Sequence, residues 1–213
     1  MHDVALVLRF DKKEITPQDA AQRTLKNVAL LTEIFEGLSA KEARVKYGCA
    51  KTLLLVALKD PAVLYPYIDF FARLLEHDNK ILKWTAIDVI GCLAKIDKGR
   101  NIDRLTQKLY ELLACGNLIT ANHAIGALAK VAKAKTDLQA KITTELLAVE
   151  GYEYETGECH NIALGKVIIA LDSYINDANN RVEVSEFVKR QTTNTRNATR
   201  KKAEEFLKKR KLL

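Results

Sequence analysis

The stretch that decides the fold is Leu82-Lys83-Trp84-Thr85-Ala86-Ile87-Asp88-Val89-Ile90-Gly91. Its order is an apolar residue, a basic residue, two variable residues, a small residue, two more variable residues and an apolar pair. The same order begins 37 residues earlier, from Val45 to Leu54, and returns near the C-terminus from Thr199 to Lys208. Two weaker copies are expected between them, centred on Ala124 and Cys159. A nearly constant period of this length indicates a stack of similar supersecondary units.

Length and composition are those of a soluble helical protein. The 213 residues suffice for one or two compact domains, or for a single solenoid of about five units. The longest apolar runs, such as Val167 to Leu171, are far shorter than a membrane span. The start, Met1-His2-Asp3, lacks the basic n-region and the small-residue cleavage site of a signal peptide. We therefore expect a cytoplasmic protein with no membrane partner.

Apolar residues recur at intervals of three and four along most of the chain, which predicts helices. The segments predicted as helical are 25–35, 43–58, 63–75, 81–96, 101–115, 118–135, 136–149, 158–176, 182–191 and a terminal basic helix. A longer loop is expected at 151–157 and a break at 177–180. No strand is expected except at 4–8, which equally fits a short helix. Residues 1–16 are an N-terminal segment of uncertain structure. Residues 17–213 are expected to form one repeat domain, with a basic capping unit at 181–213.

The predicted helices pair, and the ten-residue pattern lies in the second helix of each pair. This pattern resembles the second helix of the HEAT-like repeats of armadillo-type proteins, and residues 82–91 match it closely. The resemblance covers roughly residues 20–213. It implies an all-α fold, a right-handed α-α superhelix of about five helix pairs. It identifies an architecture, and the biochemistry has to be argued from the exposed residues.

In the families that this chain resembles, second helices line the concave side of the array. The third and seventh motif positions are four residues apart and share one helical face, so they would be displayed there. The residues at these positions that we predict to bind a ligand are Tyr47, Lys51, Trp84, Asp88 and Asn122. Partly exposed aromatic side chains serve as anchors in binding surfaces, although Trp84 could also simply pack against adjacent helices. The prediction is a non-enzymatic scaffold that binds another protein or an extended peptide.

The net charge of +7 belongs entirely to the C-terminal unit. Residues 1–180 hold 23 basic and 23 acidic side chains, whereas residues 181–213 hold 11 basic and 4 acidic ones. A nucleic-acid phosphate backbone is a natural partner for such a patch. The residues that would bind phosphates in this alternative are Arg196, Arg200, Lys201, Lys208 and Arg210. A solvated cap of the array, or a contact with an acidic protein surface, would account for the same charge.

Motifs for catalysis, metals and cofactors are missing from the sequence. It contains no P-loop, dinucleotide fingerprint, G-x-S-x-G, H-E-x-x-H or C-x-x-C, so we expect no cofactor, no metal and no catalytic residue. One alternative remains, because Trp84 and Asp88 resemble a pair in HEAT-like alkylpurine DNA glycosylases. That resemblance implies a carboxylate that stabilises positive charge on the sugar as a base departs. The chain lacks a second tryptophan that would complete such a cleft.

Overall fold

The computed structural model describes residues 5–175 and 181–211, and this part of the chain contains α-helices and no strand. The α-helices are, in chain order, α1 Leu6–Asp11, α2 Pro17–Lys26, α3 Leu30–Gly37, α4 Ala43–Lys59, α5 Ile68–Leu74, α6 Lys80–Leu93, α7 Asn101–Leu113, α8 Leu118–Ala134, α9 Gln139–Leu147, α10 Gly157–Tyr174, α11 Arg181–Gln191 and α12 Asn197–Lys209. Four short 3-10 turns accompany them, at Pro61–Val63, Tyr65–Tyr67, Thr136–Leu138 and Ala148–Gly151. The predicted all-α fold is confirmed.

The chain divides into two compact units, unit 1 up to Asn101 and unit 2 from Ile102 onward. Within unit 1, α4 is central: it packs against α1, α2, α3 and α6, and α5 packs against α6. Within unit 2, α10 is central: it packs against α8, α12, α9 and α11. In both units, consecutive motif-bearing helices lie side by side, and the shorter helices cover them.

The motif-bearing helices α4, α6, α8, α10 and α12 are called second helices from this point on. Three of them begin at a side chain that caps the backbone. Asn79 accepts hydrogen bonds from the N–H groups of Ile81 and Leu82 at the start of α6. Asn117 caps α8 and Thr156 caps α10 in the same way. Such caps satisfy N–H groups that have no partner inside the helix, so the capping residues decide where each second helix begins.

Counting from the capping position aligns all five second helices. The residue seven positions after it is small and has no exposed surface in each of them: Cys49, Ala86, Ala124, Ala163 and Ala203. The predicted fourth copy was therefore wrong, since its small residue is Ala163 and not Cys159. Cys159 lies only three residues after the Thr156 cap and is partly exposed. The spacing between these small residues grows from 37 to 40 along the chain, because the distance from one capping position to the next grows by the same amount.

The first helices of the pairs depart more from the predicted boundaries. The helix predicted at 63–75 begins only at Ile68, after two 3-10 turns that contain Pro61 and Pro66. Proline has no N–H to donate within a helix, which explains the delayed start. The segment predicted at 136–149 contains α9 between two 3-10 turns. Of the two possibilities for residues 4–8, the short helix is the one observed, since residues 6–8 lie in α1. The predicted break at 177–180 lies outside the described residues.

Candidate functional site

Tyr47 connects two neighbouring second helices in unit 1. Its side chain is half-buried on α4, and its hydroxyl oxygen accepts a hydrogen bond of 3.2 Å from Nδ2 of Asn79, the cap of α6. Lys51 follows one turn later on the same face and is exposed. The predicted binding residue Tyr47 is thus held by the start of the next repeat, while Lys51 extends into solvent.

Tyr47 also lines a cleft of about 570 Å³ between α1, the start of α2 and α4. Its apolar lining includes Phe10, and Lys13 and Arg44 supply positive charge. A Cβ atom on Gly48 would lie 2.8 Å from Cδ1 of Phe10, so the ring rests directly on the backbone of α4. This cleft could not be predicted from the sequence, because residues 1–16 show no clear pattern. The interior glycine of α4 is the signal that could have indicated it.

Trp84 and Asp88 lie one turn apart on α6, at the positions that Tyr47 and Lys51 occupy on α4. Both side chains are half-buried, so each combines contacts within the protein with exposure to solvent. Since α4 and α6 pack against each other, the four predicted residues of unit 1 occupy equivalent positions on adjacent helices. Two partly exposed aromatic side chains therefore lie on adjacent helices together with one basic and one acidic side chain.

In unit 2 the same positions are more polar and smaller. Asn122 on α8 is half-buried and Gly126 follows one turn later. The corrected register places Asn161 and Gly165 at these positions on α10. Nδ2 of Asn161 donates to Oγ1 of Thr195 at 3.0 Å, and its Oδ1 accepts from Asn194 at 3.0 Å. Asn161 therefore links α10 to the turn before α12, as Tyr47 links α4 to α6.

The arginines of the predicted phosphate-binding set are engaged within unit 2. Nε of Arg196 lies 2.7 Å from Oε1 of Glu158. Arg200 donates to the backbone oxygen of Asn194 at 3.1 Å. These contacts use donor groups that a phosphate would otherwise require.

Arg210, at the end of α12, is bound in the same way to the end of α10. It donates to the carboxylate and backbone oxygens of Asp172 and to the backbone oxygen of Ile175, and it lies over the ring of Phe206 at 4.8 Å. Burial alone would raise the pKa of Asp172, but hydrogen bonds and charges of Lys209 and Arg210 outweigh it and lower that pKa. Within the predicted set, Lys201 and Lys208 remain exposed, and neither forms an ion pair with any described residue.

The described residues offer little for covalent or metal chemistry. No group of three His, Cys, Asp or Glu side chains in the described ranges could hold a metal ion. Burial raises the pKa of the Cys49 thiol to about 12, so this cysteine is a packing residue and a poor nucleophile. Among the described helices, none has the length and apolar character needed to cross a membrane.

Paired helices, with the same motif recurring in the second helix of each pair, define an all-α helical repeat protein. Searches find no matching family model and no matching curated protein. Among solved structures, the chain is similar to a designed armadillo repeat protein, with 15% sequence identity over 98% of this chain and 94% of that one and a TM-score of 0.62. It is also similar to an engineered protein, with 15% identity over 100% and 98% of the two chains and a TM-score of 0.56. The expected armadillo/HEAT-like repeat fold is confirmed by these similarities.

Proposed function

We propose that this protein is a non-enzymatic interaction module that binds an extended segment of a partner protein along its second helices. The observation that carries the proposal is the placement of Tyr47 and Trp84 at equivalent, half-buried positions on the packed helices α4 and α6. Repeat folds of this kind are typically used as scaffolds for protein binding. Aromatic anchors of this type supply much of the binding energy in protein interfaces.

The neighbouring side chains suit a polypeptide ligand. Lys51 and Asp88 place opposite charges beside the two aromatic residues, which favours one orientation of a bound segment. The cleft beside Tyr47 is mainly apolar and has room for apolar side chains of a ligand. Asn122 occupies the same motif position in α8 and is the predicted contact in unit 2. The four free cysteines favour a reducing compartment, and we propose the cytoplasm.

Peptide selection tests the proposal directly. The full chain would be presented with a displayed library of random peptides of about 12 residues, a length typical of extended recognition segments. Trp84 is the only tryptophan, so its fluorescence reports on engagement of α6 by each selected peptide. We expect Trp84→Ala to weaken these peptides by roughly 30-fold, which corresponds to an anchor of about 2 kcal/mol.

Tyr67→Ala is the control, because Tyr67 is also a partly exposed aromatic residue of unit 1 but does not lie on a second helix. Both variants would first be compared in thermal stability, since Tyr67 packs on the ring of Phe35. Affinities that fall equally in both variants, or a library that yields no specific peptide, would contradict the proposed binding row.

Nucleic-acid binding is the alternative, and it is supported by the exposed ammonium groups of Lys201 and Lys208. A titration of duplex and single-stranded DNA at several salt concentrations separates the two functions. We expect weak binding in which few counterions are released, because the neighbouring arginines are already engaged. Tight, steeply salt-dependent binding that Lys201→Glu and Lys208→Glu abolish would instead establish this alternative. Release of alkylated bases that stops in Asp88→Asn would establish the glycosylase reaction.

A further inference from the structure

Two lysines of unit 2 lie across glycines of the preceding second helix. Cε of Lys166, on α10, is 3.9 Å from the position that a Cβ of Gly126 on α8 would occupy. Nζ of Lys202, on α12, is 3.3 Å from the corresponding position at Gly165 on α10. Both glycines lie nine residues after the capping position of their helix, at the seventh motif position. The same arrangement therefore occurs in two consecutive repeats.

No carboxylate of the described residues forms an ion pair with the ammonium groups of these lysines. Both side chains are half-buried, and within the described part of the chain neither forms a hydrogen bond or an ion pair. Burial lowers the pKa of Lys202, and the positive charges of Arg196 and Lys166 lower it further. Two like charges that are held close together and partly removed from water favour the approach of an anion.

Apolar surface adjoins this positive charge. Ile162, Lys166 and Ile169 follow one another along a single face of α10, and Ile169 is 47% exposed. Beside Lys202, a cleft of about 190 Å³ lies between α10 and α12. Ile168, Ile169 and Phe206 supply its apolar lining, and the exposed carboxylate of Glu205 also lines it. The carboxylate of Asp172, at the edge of this cleft, is already bound by Lys209 and Arg210. The cleft thus combines apolar side chains with the ammonium group of Lys202, which forms no ion pair with Glu205.

We propose that this face of α10 and α12 docks an acidic segment of a partner protein, whose carboxylates bind Lys166 and Lys202 and whose apolar side chain enters the cleft beside Ile169. This inference rests on the proposed interaction-module function and names the chemical class of the partner. Adjacent packed helices are about 8–10 Å apart, and an extended chain advances about 3.3 Å per residue. The two acidic residues are therefore expected about three positions apart, with an apolar residue between them.

The observations favour a protein over a nucleic acid. Duplex DNA presents a negative charge about every 1.7 Å along its axis and requires a broad array of cations. On this face two lysines are available among isoleucines, and the exposed carboxylates of Glu204 and Glu205 on α12 would repel a dense polyanion. A short acidic segment can place its two charges at the lysines and keep the remainder of its chain neutral.

Fluorescence anisotropy with a defined peptide tests the inference. The probe is a fluorescein-labelled Gly/Ser peptide of about 12 residues with Glu-Ser-Leu-Glu at its centre, a length that spans the two helices. Lys166→Ala and Lys202→Ala are each expected to weaken its binding by roughly 10-fold, the usual loss of one charged contact. The matched control is the pair Lys201→Ala and Lys208→Ala, which removes two exposed charges from α12 and should change affinity by less than about 2-fold.

Any of three results would overturn the inference: equal weakening by both lysine pairs, undiminished binding of a peptide with Gln in place of Glu, or no binding of the acidic peptide. Tighter binding of an oligonucleotide than of the acidic peptide, reduced by the Lys166 and Lys202 variants, would also overturn it, in favour of nucleic acid. The Trp84→Ala measurement on selected peptides separates the two proposals. If that variant loses affinity while the acidic peptide fails to bind, the interaction-module function stands and only the assigned partner class falls.

Discussion

Units 1 and 2 share a buried column, which consists of the small residues seven positions after each capping position. They differ in the surface that they build at the seventh motif position. In unit 1 this position carries its own side chains, Lys51 and Asp88. In unit 2 it carries Gly126 and Gly165, and lysines from the following second helix lie across them. The small buried residues of the repeat thus fix its packing. The side chain that covers the seventh position can belong either to the same helix or to the following second helix.

The C-terminal ends of α6 and α10 differ as well. After α6, the hydroxyl of Tyr65 donates to Oδ1 of Asp97 at 2.5 Å, and the backbone N–H of Asn101 donates to the same oxygen at 3.0 Å. At the end of α10, Asp172 receives Lys209 and Arg210 from the next second helix. In unit 2, therefore, cationic side chains also join successive second helices directly.

The largest expected effect tests the buried column that the units share. Ala163→Leu adds bulk at a site with no exposed surface, and overpacking of this kind costs about 3 kcal/mol. Ala86→Leu in unit 1 should cost about as much, because Ala86 holds the same position. Cys159→Leu, four residues earlier and partly exposed, should change the free energy of unfolding in urea by less than about 1 kcal/mol. A greater loss at Cys159 than at Ala163 would refute the alignment of α10 with the other second helices through Ala163.

The next largest effect concerns Gly165 and Gly126. Substitution by alanine should change the free energy of unfolding in opposite directions at these two positions. A Cβ on Gly165 would lie 2.7 Å from Oγ1 of Thr199, which donates to the backbone oxygen of Asn161. Gly165→Ala should therefore lower the free energy of unfolding by about 1–2 kcal/mol despite its better helix propensity. Gly126→Ala meets only Lys166, at 3.9 Å, and should raise it by about 0.5–1 kcal/mol. Urea unfolding measures both changes, and equal signs would show that the two glycines are not packed differently.

Much of the fold could be predicted from sequence because the motif reports buried positions of a helix. Residues 43–58 and 118–135 were predicted almost to the observed ends of α4 and α8. The fourth copy was misaligned at Cys159, another small residue four positions before Ala163 in the same helix, because the pattern alone does not show where α10 begins. The Thr156 cap marks the start of α10, and Ala163 lies seven residues after it. This distance identifies the small residue only when positions are counted from the cap of each helix.

The candidate site was predictable where one helix supplies it and not where two helices meet. Tyr47, Lys51, Trp84 and Asp88 follow from motif positions on their own helices, although their role in binding stays a prediction. Lys202 lies across Gly165, and these residues are 37 positions apart, so their contact depends on how α10 and α12 pack. The wrong register also placed Asn161, and not Gly165, at the seventh position. Under that alignment, the sequence could not show that the glycines of two successive second helices each face a lysine of the next one.

A smaller effect is expected at the end of α12, where unit 2 joins its helices through a cation. Arg210→Ala removes hydrogen bonds to Asp172 and to the backbone of α10, and should lower the free energy of unfolding by about 1–1.5 kcal/mol. Lys208→Ala removes an exposed charge from the same turn and should change it by less than about 0.5 kcal/mol. Equal effects in thermal unfolding would mean that Arg210 contributes only general charge, as expected of a solvated cap.

The smallest effect is a pH dependence at the same contact. Because the pKa of Asp172 is lowered in the folded protein, its ionised form stabilises the fold above the ordinary carboxylate range, and this stabilisation is lost as the pH falls below about 4. The side chain is 30% exposed, so after solvent screening the contribution is about 0.5–1 kcal/mol. The difference in unfolding free energy between the unsubstituted protein and Asp172→Asn should therefore be present at neutral pH and shrink on acidification. In an Arg210→Ala background the difference should already be smaller at neutral pH, since one of the two cations that lower the pKa of Asp172 is gone. A difference that grows on acidification would mean that burial, and not the cations of α12, dominates at Asp172.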